Sequence, residues 1–143
     1  MTMPDWQEML TYQQHLTQFS RRLLVHSQEQ QLSASERELL AWIYLAPEQC
    51  TPLFLSKQSG MKKETVSRTL KQLFQKACIE KHKVDGDERS YTVTLTGEGG
   101  MALDHDCKLL LEPFYTLRAS MGEHFDQLFA LLKEVDHVLG GEE

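Results

Sequence analysis

Apolar residues recur at helical spacing along most of this chain and alternate with polar ones only between residues 79 and 95. Over residues 5–30, Met9, Leu16, Phe19, Leu23 and Leu24 share one helical face. Ser33 and Glu36 then form a capping box, in which each side chain satisfies a free backbone N–H at a helix start. The helix they open carries Leu39, Leu40, Trp42, Ile43 and Ala46, and Pro47 ends it. Thr51-Pro52 predicts a third, short helix, because threonine caps and proline tolerates the first turn. Leu53, Phe54 and Leu55 give that helix a core face, and Gly60 stops it.

The fourth helix is predicted from Lys62 to Ala77. At about 100° per residue, Val66, Leu70, Leu73, Phe74 and Ala77 fall on one arc, and Glu64, Ser67, Arg68, Lys71 and Gln75 on the opposite one. Ile79 to Val84 reads as a strand and Asp85-Gly86-Asp87-Glu88 as a turn. Tyr91, Val93 and Leu95 alternate with Thr92 and Thr94 in a returning strand. Thr96 caps a long helix with Met101, Leu103, Leu110, Leu111 and Phe114, which Pro113 should kink or end. Ser120 and Glu123 predict a second capping box, ahead of a last helix with Phe125, Leu128, Phe129, Leu132, Val135 and Leu139 on one side. The fold class expected is mainly α with a small β-hairpin (α+β): a winged helix-turn-helix with an N- and C-terminal helical frame.

Charge sharpens this picture. The chain carries 15 Lys and Arg against 21 Asp and Glu, a net of -6. Residues 57–83 hold Lys57, Lys62, Lys63, Arg68, Lys71, Lys76, Lys81 and Lys83, opposed only by Glu64 and Glu80, so they net +6 and the remainder -12. A basic stripe on an acidic body suits a surface that docks on duplex phosphates.

Other classes find little support. No apolar run approaches the roughly 20 residues of a membrane span, and MTMPDWQEML lacks the apolar core of an export signal. Three cysteines in no paired motif suit a reducing cytoplasm. Nucleophile elbows, phosphate loops and zinc-protease motifs are missing, so no enzyme and no cofactor is expected. Asp104, His105 and Cys107 do not share one helix face, so no metal site is expected. Asp104 and Asp106 read as ordinary surface charge.

The order of these elements resembles the MarR (multiple-antibiotic-resistance regulator) family of bacterial transcription factors. The resemblance rests on T-V-S-R-x-L at Thr65 to Leu70, D-x-R at Asp87 and Arg89, and L-T-x-x-G at Leu95, Thr96 and Gly99, in that order and spacing. It implies a single domain over 1–143, with residues 33–96 as the DNA-binding lobe and 5–30 with 97–139 as a dimerisation frame. It implies a homodimer, interlocked through residues such as Met9, Leu16, Phe125, Leu128, Leu132 and Val135, on a roughly palindromic double-stranded DNA operator.

The resemblance puts Ser67, Arg68 and Lys71 in the major groove, Arg68 as the base reader, with Thr65 and Gln75 flanking. Thr51, Lys62 and Lys63 sit at helix starts suited to phosphates. Arg89 is the wing arginine, Ser90 lies beside it, and Asp87 would orient Arg89 by a charge-assisted bond. It also implies a small aromatic effector, for which His15, Phe19, Arg22, His26, Trp42 and Tyr44 are candidates, although a Trp or Phe at helical spacing is more often plain core.

Two departures stand out. The first helix has no cysteine, so a peroxide-sensing thiol of the family type is not expected. The wing carries Glu88 where a basic residue is common, beside Asp85 and Asp87. Three carboxylates near a negative groove predict weaker wing insertion. The alternative function is a regulator-like dimer, with weakened DNA binding, that acts through a protein partner.

Overall fold

The computed structural model describes residues 2, 3 and 5–140, with Glu88 described by its backbone alone. Its elements are α1 (Trp6–Leu23), α2 (Ala34–Leu45), α3 (Pro52–Ser59), α4 (Lys63–Gln75), β1 (Ile79–Val84), β2 (Asp87–Leu95), α5 (Gly97–Leu110), α6 (Glu112–Met121) and α7 (Glu123–Gly140). They divide into two compact units: a lobe, Gln28–Leu109, and a frame made of the chain up to Ser27 and from Leu110 onward. In that division most of α5 counts with the lobe.

Within the lobe, α2, α3 and α4 pack on one another, and α2 and α4 pack on the hairpin. Leu39, Leu40, Ile43, Leu55, Val66, Leu70, Leu73 and Val93 form the center of its core. The caps follow the sequence. Ser33 and Glu36 make both bonds of the capping box, and Thr51 Oγ1 accepts from the Phe54 N–H at 3.1 Å. Gly60 ends α3 in the left-handed region at φ 73°. α4 ends two residues earlier than expected, because Ala77 takes φ 59° and the Cys78 N–H reaches back to the Leu73 carbonyl at 2.9 Å. That is the terminal loop glycine usually makes.

β1 and β2 pair antiparallel from Ile79↔Leu95 to Val84↔Asp87, with an irregularity at Lys83/Val84. The turn is shorter than expected: Asp87 and Glu88 already belong to β2, leaving Asp85-Gly86 with Gly86 at φ 83°. Thr96 joins the wing to α5. Its Oγ1 donates to the Ala77 carbonyl at 2.6 Å and accepts from the Gly99 N–H at 3.0 Å. A Cβ on Gly99 would stand 2.1 Å from the Cys78 carbonyl oxygen, so only glycine allows this approach of α5 to the hairpin.

Three expectations need correction. α1 stops at Leu23, not near residue 30, because Leu24 turns extended. Further on, the N–H groups of Gln31 and Leu32 bond the Asp106 carboxylate, each at 2.8 Å, instead of continuing a helix. Asp106 is accordingly fully buried and not surface charge. Burial alone would raise its pKa, but the bonds from Gln31, His105 and Leu32 outweigh that and hold the carboxyl below its ordinary range. Finally, Ser120 lies inside α6 and makes no capping box. Gly122, at φ 58° and ψ -130°, separates α6 from α7 instead. Pro113 does end a helix: α5 stops at Leu110, and the proline sits in the first turn of α6.

In the frame, the rings of Phe125 and Phe129 lie 4.7 Å apart and those of Phe114 and Phe129 6.1 Å apart. Arg118 binds both carboxylate oxygens of Asp126 at 3.2 Å across the Gly122 break.

Candidate nucleic-acid interface

The amphipathic pattern of α4 decides what this surface offers. Val66, Leu70 and Leu73 are at most 1 % exposed and fasten the helix to the lobe. Lys63, Ser67, Arg68 and Lys71 are exposed and line one shallow depression with Glu64. The residues predicted to read a groove therefore share one solvent-facing surface. Gln75 is exposed at the far end of α4. Thr65 is half-buried, and its carbonyl accepts the Thr69 hydroxyl at 2.7 Å. Lys62 holds the N-cap position of α4 and is exposed. Thr51 is half-buried and its oxygen is already engaged by the cap of α3.

Lys76 does not belong to the outward stripe. Its Nζ donates to Glu36 Oε1 at 2.6 Å and to the Gln31 carbonyl at 3.3 Å, tying the end of α4 to the start of α2. Burial pushes the Glu36 carboxyl up, but bonds from Lys76 and Ser33 and the lysine's charge leave it below its ordinary range.

In the wing, the role expected of Asp87 changes. Asp87 Oδ1 accepts the backbone N–H of Arg89 at 3.0 Å and Oδ2 accepts the Ser90 hydroxyl at 2.7 Å. The carboxylate shapes the start of β2 and does not hold the guanidinium. Those same bonds, that of Ser90 foremost, lower its pKa. Asp85, Asp87 and Arg89 are all exposed. The side chain of Glu88, the third wing carboxylate, lies outside the described residues. Lys81 places its ammonium 4.2 Å from the center of the Tyr91 ring, which is half-buried.

Beside the polar depression lies a cavity of about 390 Å³ lined by Pro52, Leu53, Lys63, Val66, Ser67 and Tyr91. Sequence reasoning placed Leu53 in the core, yet it is 52 % exposed. A three-residue apolar run on a short helix does not say which member faces inward, and Leu55 is the one fully buried.

The residues nominated for an effector fall on separate elements. His15, Phe19 and Arg22 lie on α1, His26 follows it, and Trp42 and Tyr44 lie on α2. Trp42 is half-buried against the lobe core and donates its indole N–H to Glu38 at 3.2 Å, whereas Tyr44 is exposed. A cavity of about 440 Å³ inside the lobe is lined by Gln31, Leu32, Lys76, Cys78, Glu98, Met101, Ala102 and His105, none of them nominated. Burial pushes up the thiols of Cys50, Cys78 and Cys107, which keeps them protonated and poorly nucleophilic. Among the described residues, no three His, Cys, Asp or Glu side chains gather as a metal site, and no helix is long and apolar enough to cross a membrane.

This arrangement defines a class: a winged helix-turn-helix lobe, α2 to β2, with a helical frame contributed by both ends of the chain. Comparison with solved structures narrows it. A MarR/EmrR family transcriptional regulator from Acinetobacter sp. ADP1 matches with TM-score 0.70 and 24 % identity, over 96 % of this chain and 99 % of that one. BldR, a transcriptional regulator from Sulfolobus solfataricus, matches with TM-score 0.73 and 16 % identity, over 93 % and 97 %. A mutant MarR from E. coli, complexed with operator DNA, matches with TM-score 0.56 and 25 % identity, over 73 % and 76 %. No protein-family model and no curated protein matches the chain. The chain has the fold of the MarR family of transcriptional regulators, and the resemblance in its motifs extends to its tertiary structure.

Proposed function

We propose that this protein is a sequence-specific, DNA-binding transcriptional regulator that acts as a homodimer, a repressor released by a small molecule or another signal. The observation that carries this reading is the two-sided α4, with leucines and Val66 sunk into the lobe and Lys63, Ser67, Arg68 and Lys71 facing solvent together. A helix held this way can enter a major groove, where a guanidinium makes two hydrogen bonds to one guanine. The operator DNA bound by the E. coli structural relative points the same way.

The frame supports the dimer. Helices α1, α6 and α7 contain no buried residue among them, and Met9, Leu16 and Val135 are about half exposed or more. Phe125, Leu128 and Leu132 are half-buried beside them. A second copy would cover these faces and set the two recognition helices about 34 Å apart, one turn of the duplex. A signal that alters this spacing by a few ångströms releases the DNA. The three free thiols, none in a disulfide, suit the cytoplasm.

The test is a titration of the protein against random duplexes, then the selected operator, at two salt concentrations. A slope near -0.9 per phosphate neutralised is expected. Arg68→Ala should weaken the selected operator by about 1–3 kcal/mol, the worth of one base-reading pair. Unchanged binding in that variant would mean that α4 docks by another face. The exposed carboxylates of Asp85 and Asp87 favor a second reading, in which the dimer has given up DNA for a protein partner. A flat salt slope with no selected duplex would favor it.

A further inference from the structure

Lys63 and Ser67 stand one helical turn apart on α4 and border two different surfaces. On one side is the polar depression that runs to Arg68 and Lys71. On the other is the notch of about 390 Å³ between the first turn of α3, the buried side of α4 and strand β2. Its walls are Pro52, Leu53 and Tyr91 and its floor is Val66, which is 1 % exposed. Pro52 has no N–H to offer, and the hydrogen-bonding side chains of the notch are Lys63 and Ser67 on α4 and the Tyr91 hydroxyl. Leu53 stands 52 % exposed on that wall. The Tyr91 ring is held in place by burial and by the Lys81 ammonium 4.2 Å from its center.

A base edge that enters the groove beside Ser67 meets this apolar wall. The major-groove edge of thymine carries a 5-methyl group, which gains by leaving water, whereas cytosine has only hydrogen on that carbon and an amino donor on the next one, which loses hydrogen bonds against Leu53 and Pro52. The lysine at the rim suits the adjoining phosphate and fixes which kind of molecule the notch faces. We propose that the Pro52–Leu53–Tyr91 notch seats the 5-methyl group of a thymine in each operator half-site and makes Leu53 a specificity-determining residue. This rests on the DNA-binding reading above.

The experiment uses the full-length protein and the duplex selected from a random pool. Each thymine is replaced singly by deoxyuridine, which removes only the methyl group, and dissociation constants are read by fluorescence anisotropy. One thymine per half-site should lose about fourfold in affinity on replacement, the worth of one buried methyl group. Leu53→Ala should abolish that sensitivity with the salt slope unchanged, and Leu53→Met should retain it. Because Leu53 is half exposed, neither variant empties the core. A selected duplex with a steep salt slope but no deoxyuridine-sensitive thymine overturns the notch and leaves the regulator reading standing. Equal loss on every duplex in Leu53→Ala, without methyl dependence, means that the notch seats backbone sugar and also overturns it. If no duplex is selected at all, the regulator reading fails and the notch with it.

Discussion

The lobe and the frame handle the same kind of hydrophobic pattern in opposite ways. In the lobe, Leu39, Leu40, Leu55, Leu73 and Val93 are 0 % exposed. Each such side chain contributes roughly 1.5–3 kcal/mol by leaving water. In the frame, α1, α6 and α7 repeat apolar residues just as regularly, yet Trp6 is 71 %, Leu16 59 %, Leu131 58 % and Val138 77 % exposed. A periodic stripe marks a face that gains from burial; it does not identify what buries it. For the lobe the answer is its own neighboring helices and hairpin. For the frame, a second copy of the chain is the occupant we propose.

That contrast can be broken first in the lobe. Asp106→Ala should destabilise the protein by about 2–4 kcal/mol, because the N–H groups of Gln31 and Leu32 lose a charged acceptor. Denaturant unfolding measures it, and a change near zero would show that the carboxylate is dispensable. The acid limb of stability gives the same information by another route. Asp106 and Glu36 both have folded pKa values below their ordinary 3.8 and 4.5. The stability they contribute is therefore present above those values and is lost as pH falls through the lower folded ones. Asp106→Asn should flatten the decline below about pH 4; an unaltered limb would assign it to other groups.

The frame should respond differently. Leu16→Asp and Val135→Asp place charges on faces that are already exposed in one chain, so they should spare the lobe and weaken the proposed dimer. A dissociation constant raised by about 30-fold or more, some 2 kcal/mol, is expected from sedimentation at several concentrations. An unchanged constant would remove these faces from the interface. The smallest effect sharpens the description of the lobe itself. Ala77 occupies the left-handed region at φ 59°, which is costly for a residue with a Cβ. Ala77→Gly should therefore gain up to about 1 kcal/mol, partly offset by glycine's greater freedom when unfolded. A loss on thermal melting would show that the alanine methyl packs more than it strains.

Elements with a local cause were legible from the sequence. The Ser33/Glu36 box, the Thr51-Pro52 start and the Gly60 stop each depend on side chains within a turn of the backbone they cap. The stripe of α4 and the alternation of β1 and β2 depend on period alone. By contrast, α1 stops at Leu23, where Leu24 turns extended, and the stretch expected to continue it is held from far away: the N–H groups of Gln31 and Leu32 answer to Asp106, 75 and 74 residues on. The second capping box at Ser120 was a local match that Gly122 overrode.

The interface divides in the same manner. Ser67, Arg68 and Lys71 followed from helical spacing, since the apolar arc leaves only one side free. Lys76 looked like a member of that stripe until the fold set it against Glu36, and Asp87 spent its carboxylate on the backbone of Arg89 and on Ser90 instead of the guanidinium. Spacing along the chain determined which side of α4 is polar, because that needs only a helix and a core. Tertiary structure alone decided which charges remain free to meet a phosphate and that Leu53 stands beside Ser67, because long-range partners compete for the same side chains.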